Sequence, residues 1–334
     1  MSERLRILVI GSNAYTGAAF VAHALAQGHE VVGVSRSDEL NPVFLPYQWQ
    51  SAKALFRFSF LRMDLNEKAE YIARLARDLN LTHVINFAAQ SMVAESWLTP
   101  VHWYQTNVVA NVRLHEELRK WQGLKKYLHV TTPEVYGNCS GTVKEDATFN
   151  PSTPYAASRA SCDLHLMTFF KRYGFPVVFT RAANVYGPGQ QLYRIIPRAV
   201  LFSRTEKKLP LHGGGHSTRA FIHGEDVASA SLALLEEGKP GEVYHLSTER
   251  FISISDLVSM IAQKTGSSFE KLAEVAEDRP GKDSAYLLDA SRIKRELGWI
   301  PRIGLEEGVE SVIQWVDKNL AVLRSLPDHY IHKA

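Results

Sequence analysis

Residues 6–17 read Arg-Ile-Leu-Val-Ile-Gly-Ser-Asn-Ala-Tyr-Thr-Gly, and this stretch decides the fold. Arg6–Ile10 is a short run rich in β-branched side chains that stops at Gly11, the pattern of a buried strand. Ala18–Gln27 then reads as a helix closed by Gly28. Gly11 and Gly17 lie six residues apart with Ala14 midway, giving G-x-x-A-x-x-G between strand and helix. Glycine permits the tight turn and lets backbone approach a pyrophosphate, whose charge is met by N–H groups at the helix N-terminus. Ala14 stands where that pattern usually has glycine, and its methyl crowds the approach without blocking it. An ordinary βα turn with glycine at its ends is the second reading of the same residues.

Working outward, similar apolar runs recur at Val31–Val34, His83–Phe87, Lys126–Val130 and Val177–Thr180, with helical segments between most of them. Continuous apolar strands alternating with helices predict a parallel sheet covered on both faces, because half-solvated antiparallel strands would alternate with period two. The fold class is therefore α/β, a Rossmann-type doubly wound parallel sheet. Val101–Trp121 and Tyr155–Tyr173 are two long helical stretches, the second bounded by Pro154 and Gly174. Beyond Arg181 come a glycine-rich loop at Tyr186–Gln190, a helix from Ile196, a Gly213–Gly215 run, and helices at Ser255–Thr265 and Leu305–Leu323. These predict a smaller C-terminal α/β domain. The expected division is 1–181 with a return segment near 221–247 for the dinucleotide domain, and 182–220 with 248–334 for the substrate domain.

Composition narrows the function classes. With 334 residues, 45% hydrophobic and 22% charged, the chain has the make-up of an ordinary globular protein large enough for about two domains. A net charge of +3 from 38 basic and 35 acidic side chains leaves no basic stripe for a nucleic-acid backbone. No apolar run approaches the ~18 residues of a membrane helix or the core of a signal peptide. Cys139 and Cys162 are the two cysteines, too few for a disulfide framework, and the expected location is the cytoplasm. His102, His115, His165 and His223 show no metal-ligand spacing, so no metal is expected. The six Trp and the Phe169-Phe170 pair read as core and helix-interface residues.

The end of the second strand carries the cofactor information. An acidic residue about twenty positions beyond the glycines usually accepts the ribose hydroxyls of NAD. Here the strand ends Val34-Ser35-Arg36-Ser37, with no carboxylate until Asp38. An arginine between two serines presents donors to a 2′-phosphate, which favours NADP over NAD. A solvated Arg36, with Asp38 reaching back to the ribose, is the other reading.

The fifth strand ends Val130-Thr131-Thr132-Pro133-Glu134, and 23 residues after Thr132 comes Tyr155-Ala156-Ala157-Ser158-Arg159 at a helix start. Tyr155 and Arg159 are i and i+4, so they share a helix face where the cation favours tyrosinate. Thr132 lies at the carboxyl end of a parallel strand, in the crevice where such sheets bind ligands.

With these residues in place, the chain resembles the extended short-chain dehydrogenases/reductases, and within them the nucleotide-sugar 4,6-dehydratase group of the epimerase/dehydratase family. The segments that carry the likeness run nearly end to end: NFAAQS (86–91), TNVVAN (106–111), TTPEVYG (131–137), PSTPYAASRASCD (151–163), RAANVYGPGQ (181–190), STRAFIHGEDVA (217–228), EDRPGKD (277–283) and RELGW (295–299). The resemblance implies oxidation of a nucleotide diphosphate hexose at C4, loss of water across C5–C6 and return of the hydride to C6. It gives Tyr155 the 4-OH proton, with Thr132 assisting, and Glu134 the C5 proton. Two departures stand out. The dTDP-glucose enzymes have an acidic aspartate between the threonine and the glutamate; this chain has Pro133, which leaves Glu134 to protonate the departing oxygen. The family's YxxxK lysine, which contacts the nicotinamide ribose, is Arg159, with the same charge but planar geometry.

The same resemblance assigns Gly11, Asn13, Ala14, Tyr15 and Gly17, then Ser35, Arg36, Asp64, Leu65 and Ala88, to the cofactor, together with Tyr155 and Arg159; Asn86 lies along it too. Ser91, Asn184, Arg219 and Arg279 are assigned to the substrate, while Asn107 is structural. It also implies a homodimer in which the two long helices pair with those of a second subunit as a four-helix bundle. An epimerase, 4-dehydrogenase or decarboxylase on the same substrates is the alternative enzyme. A non-catalytic dinucleotide-binding protein is the alternative outside enzymes.

Overall fold

The computed structural model describes residues 4–139, 141–277 and 287–333. Its strands are β1 (Arg6–Ile10), β2 (Glu30–Ser35), β3 (Phe58–Arg62), β4 (His83–Asn86), β5 (Lys126–Val130), β6 (Thr142–Val143), β7 (Val177–Ala182), β8 (Asn184–Tyr186), β9 (Leu209–His212), β10 (Thr218–His223), β11 (Val243–Leu246), β12 (Phe251–Ser253), β13 (Ala273–Ala276) and β14 (Leu287–Leu288). The helices are α1 (Tyr15–Ala26), α2 (Ala52–Leu55), α3 (Leu65–Asp78), α4 (Pro100–Tyr104), α5 (Asn111–Leu118), α6 (Pro154–Tyr173), α7 (Ile195–Thr205), α8 (Gly224–Glu237), α9 (Ile254–Lys264), α10 (Phe269–Leu272), α11 (Ser291–Leu297) and α12 (Leu305–Leu323).

The expected doubly wound sheet is present. Seven strands run in the order β11-β7-β5-β4-β1-β2-β3, all parallel. Strand order reverses between β1 and β4, which is the crevice where open α/β sheets bind ligands. One face is covered by α1 and α8 through Phe20, Val21, Leu234 and Leu235; the other is covered by α3, α5 and α6 through Ile72, Leu114 and Leu166. At about 1.5–3 kcal/mol for each large apolar side chain buried, these two layers hold the sheet rigid beneath its carboxyl edge.

Beyond β7 the chain builds a separate layer. β10 pairs with β8 in parallel and with β12 in antiparallel register, and α7, α9 and α12 pack around a second core of Ile196, Val258, Ile261, Val309 and Val312. The chain then returns, and β11 joins the main sheet beside β7.

Several elements differ from the sequence reading. α1 starts at Tyr15, three residues early, because the Ala14 N–H already bonds the Gly11 carbonyl at 2.9 Å and the turn runs straight into the helix. β4 stops at Asn86, whose side chain accepts the Ala88 N–H at 2.9 Å and turns the chain. The helix expected over Val101–Trp121 is broken: a π segment at Gln105–Ala110 separates α4 from α5. Asn111 donates to the Thr106 and Asn107 carbonyls at 2.9 and 3.3 Å, which widens the turn. Of the tryptophans read as core, Trp103 and Trp315 are buried, whereas Trp49 and Trp97 are exposed. Among the described residues no helix is long and apolar enough to cross a membrane, and neither Cys139 nor Cys162 forms a disulfide.

Candidate active site

The dinucleotide turn is built as its glycines require. Gly11 has φ +85°, and a Cβ there would lie 2.6 Å from the Ala88 nitrogen; a Cβ on Gly17 would strike the Gly11 carbonyl oxygen. The turn therefore lies directly against the end of β4. α1 has no side-chain cap at Ala14, so its first N–H groups carry the partial positive charge of the helix end without a capping side chain. That fits a pyrophosphate. Asn13 fixes the neighbouring loop, its N–H donating to Ser35 Oγ at 2.9 Å and its amide to the Ser37 and Asp38 carbonyls at 3.1 and 2.9 Å. Tyr15 is buried, with its hydroxyl on the backbone of Gly224, so it ties the turn to α8. Asp64 caps α3 by accepting the Asn66 N–H at 2.8 Å, and Leu65 is buried in the core behind it. Asp38, the alternative ribose partner, has its carboxylate on Arg62 at 3.0 Å.

Tyr155 is placed by α6. Thr153 caps that helix by accepting the Ala156 N–H at 3.1 Å, Pro154 supplies its first residue, and Gly174 ends it at φ +64°. The phenol therefore projects from the first turn toward the end of β5. Thr132 stands there in extended conformation and caps the short 3-10 turn Pro133–Tyr136, accepting the Glu134 N–H at 3.3 Å. Tyr155 hydrogen-bonds Thr132. Burial raises the phenol pKa; Arg159 lowers it, Glu134 raises it and the Thr132 hydrogen bond lowers it.

Arg159 is buried, and its guanidinium donates to the Val130 carbonyl at the end of β5. The opposite-charge effect of Arg159 on Tyr155 has the expected sign, although burial dominates. On the other layer, Asn184 and Phe221 are register partners of β8 and β10, and Asn184 donates to the Ala220 carbonyl at 3.2 Å beside Arg219. Ser91 is exposed on the loop after β4, and Arg279 lies outside the described residues.

Two polar networks behind the site were not read from sequence. Asn107 accepts the Gln90 N–H at 2.9 Å and donates to the Gln90 carbonyl and Ser158 Oγ, both at 3.0 Å, bracing the loop after β4 against α6. Asp163 on α6 accepts from Arg181 at 2.8 Å and from Thr131 at 3.2 Å; Arg181 in turn donates to Tyr136, which meets His245 at 2.7 Å. The separations of 17 to 109 residues leave no local pattern, and only the polar letters inside apolar strands hint at them. Among the described residues no group of three His, Cys, Asp or Glu side chains converges as a metal site.

A model of the GDP-mannose 4,6 dehydratase family matches residues 8–312. The chain belongs to that family. The dehydratase relatives include the dTDP-glucose 4,6-dehydratase of Salmonella typhimurium, 32% identical over 338 residues, covering 93% of this chain and 92% of that protein. A trifunctional UDP-glucose 4,6-dehydratase, epimerase and reductase of Arabidopsis thaliana is 29% identical over 317 residues; the match takes in 94% of this chain and spans about half (47%) of that longer relative. The solved dTDP-glucose 4,6-dehydratase of Streptomyces venezuelae with NAD bound superposes with a TM-score of 0.87 at 29% identity, covering 95% of this chain and 98% of that one.

Proposed function

We propose that the protein is a nicotinamide-dependent nucleotide-sugar 4,6-dehydratase, turning an NDP-hexose into an NDP-4-keto-6-deoxyhexose. The observation that carries this reading is the meeting of Thr132, Glu134 and Tyr155 at the end of β5, on the sheet edge that also bears the dinucleotide turn. An epimerase has no need of a carboxylate beside the tyrosine. Gly11, Asn13, Ala14, Gly17 and Ala88 line the cofactor turn, and the nicotinamide supplies the acceptor and later donor of the C4 hydride. Tyr155, as phenolate, takes the 4-OH proton, with Thr132 holding the hydroxyl in place. Glu134 takes the proton from C5, which the C4 ketone has acidified. The C6–O bond breaks, and Glu134 passes its proton to the leaving oxygen as water, because Pro133 has no acid to offer; the C5=C6 bond is then saturated by return of the hydride to C6 and by a solvent proton at C5. Asn184, Arg219 and Arg279 hold the diphosphate, and Ser91 faces the sugar.

Mass spectrometry of the purified protein with a panel of nucleotide hexoses tests this. Loss of one water from one sugar is the expected result; epimerisation, oxidation or decarboxylation without water loss overturns it.

The cofactor reading is NADP in preference to NAD. Asp38 is held by Arg62, and Ser35, Arg36 and Ser37 remain as the residues of the ribose turn. The assembly is a homodimer through α4, the π segment, α5 and α6: Val101, Tyr104 and Val109 on the first pair and Leu164 on α6 expose apolar surface that a second copy covers. Two cysteines outside any disulfide suit a reducing compartment, the cytoplasm.

A further inference from the structure

The segment after α12 does not trail into solvent. Lys333 donates from Nζ to Ser37 Oγ at 3.0 Å, and its carbonyl accepts from Gln90 Nε2 at 2.7 Å. Ser37 follows β2 and Gln90 follows β4, and β1 with the dinucleotide turn lies between those two strands in the sheet. Lys333 therefore bridges the two walls of the crevice. One residue earlier, His332 stacks on the buried Trp103 with ring centres 5.2 Å apart and 5° between planes, and it hydrogen-bonds His102 at 2.9 Å. Tyr330 meets His332 at 3.2 Å and sets its ring edge-on to Tyr193, just before α7, at 5.5 Å. The segment is thus fastened to both layers of the molecule.

Its charges converge on the ribose turn. Arg36 lies close enough to Tyr330 and His332 to act on the pKa of each, and Glu95 faces the same two side chains. Lys333 brings a second cation onto Ser37. Of the nearby acids, Asp38 is engaged by Arg62, and Glu39 accepts from Tyr47 at 2.8 Å and Gln48 at 2.9 Å. A turn offering two cations and serine hydroxyls matches a phosphate ester better than a ribose diol, which needs an acceptor.

We infer that residues 330–333 are a strap that closes over the adenosine half of the cofactor and that Lys333, beside Arg36, reads the 2′-phosphate. The inference rests on the NADP reading above. Release of NADPH and NADH from the full chain, followed by nicotinamide fluorescence in a chase experiment, tests it. Wild type is expected to hold NADPH longer than NADH. Lys333→Gln should speed NADPH release about tenfold, the worth of one charge-assisted hydrogen bond, and leave NADH release within about twofold. Replacing 330–333 by Gly-Ser-Gly-Ser should speed release of both by about tenfold or more, with the far-ultraviolet circular dichroism of the folded protein retained. Wild type that holds NADH longer sinks the NADP reading, and with it the role of Lys333. A preference for NADPH that survives Lys333→Gln, or release that stays the same or slows when the strap is replaced, overturns the strap itself.

Discussion

Tyr155 and Glu134 are electrostatically coupled across the end of β5. Burial lifts the phenol pKa, Arg159 draws it down, and the Glu134 carboxylate pushes it back up. Glu134→Gln should therefore lower the Tyr155 pKa, read as an ultraviolet phenolate titration against a Tyr155→Phe control. On the proposed mechanism the same variant removes the C5 base and should lose roughly 10²- to 10⁴-fold in dehydration. A phenol pKa that rises or stays put would break the coupling.

Arg159 is the opposite lever. Arg159→Met removes the cation, so the phenol pKa should rise further and turnover at neutral pH fall on the order of 10²-fold, with part of the loss recovered as pH increases. Arg159→Lys keeps the charge and should stay within about tenfold of wild type. A pH–rate profile of the three proteins decides it: equal losses in Met and Lys variants would show that guanidinium shape, rather than charge, is what Tyr155 needs.

The ion pair of Asp163 and Arg181 is fully enclosed, at 2.8 Å with both side chains 2% exposed. Asp163→Asn leaves an uncompensated buried guanidinium and should cost about 3–5 kcal/mol by chemical denaturation. Replacing both by apolar residues of similar size should cost less than the two single changes added together.

Acid should unfold the protein early. His245 is held from its ordinary 6.5 down to about 3 by burial and by Arg181, and His115 and His129 are lowered by burial as well. The unfolded chain binds those protons first, so stability is complete above pH 6.5 and drains away as pH falls toward 3. For His245 the slope is about 1.4 kcal/mol per pH unit. His245→Asn should flatten the acid limb in urea melts taken from pH 7 to pH 4; an unchanged slope would remove His245 from the account.

The helix pair makes a separate prediction. Val101→Glu combined with Leu164→Glu puts charges on both apolar faces and should convert the proposed dimer to a monomer in sedimentation velocity, with little change in secondary structure.

Legibility in the sequence followed locality. β5 and α12 fall on their expected residues because each is a continuous apolar pattern with clear stops; Thr132 and Glu134 follow the end of β5 directly, and Tyr155 meets them from the first turn of α6, whose start is marked by Thr153 and Pro154. β3 went unread: Phe58–Arg62 is an edge strand, half-exposed along its length, so it lacks the buried apolar signature. The break at Gln105–Ala110 turns on one side chain, Asn111, bonding backward to carbonyls, which periodicity does not register. The strap had no signal at all, since Lys333 meets a serine 296 residues upstream.

β11 lies at the outer edge of the main sheet, yet the chain reaches it only after laying down β8, β9 and β10 in the other layer. The two layers are therefore interleaved along the polypeptide, and no single cut releases either one whole. Grafting a foreign sugar-recognition layer onto this scaffold takes two splice points, one on each side of the α8–β11 return, and a chimera joined at one point near residue 182 would strand β7 at a bare, sticky sheet margin.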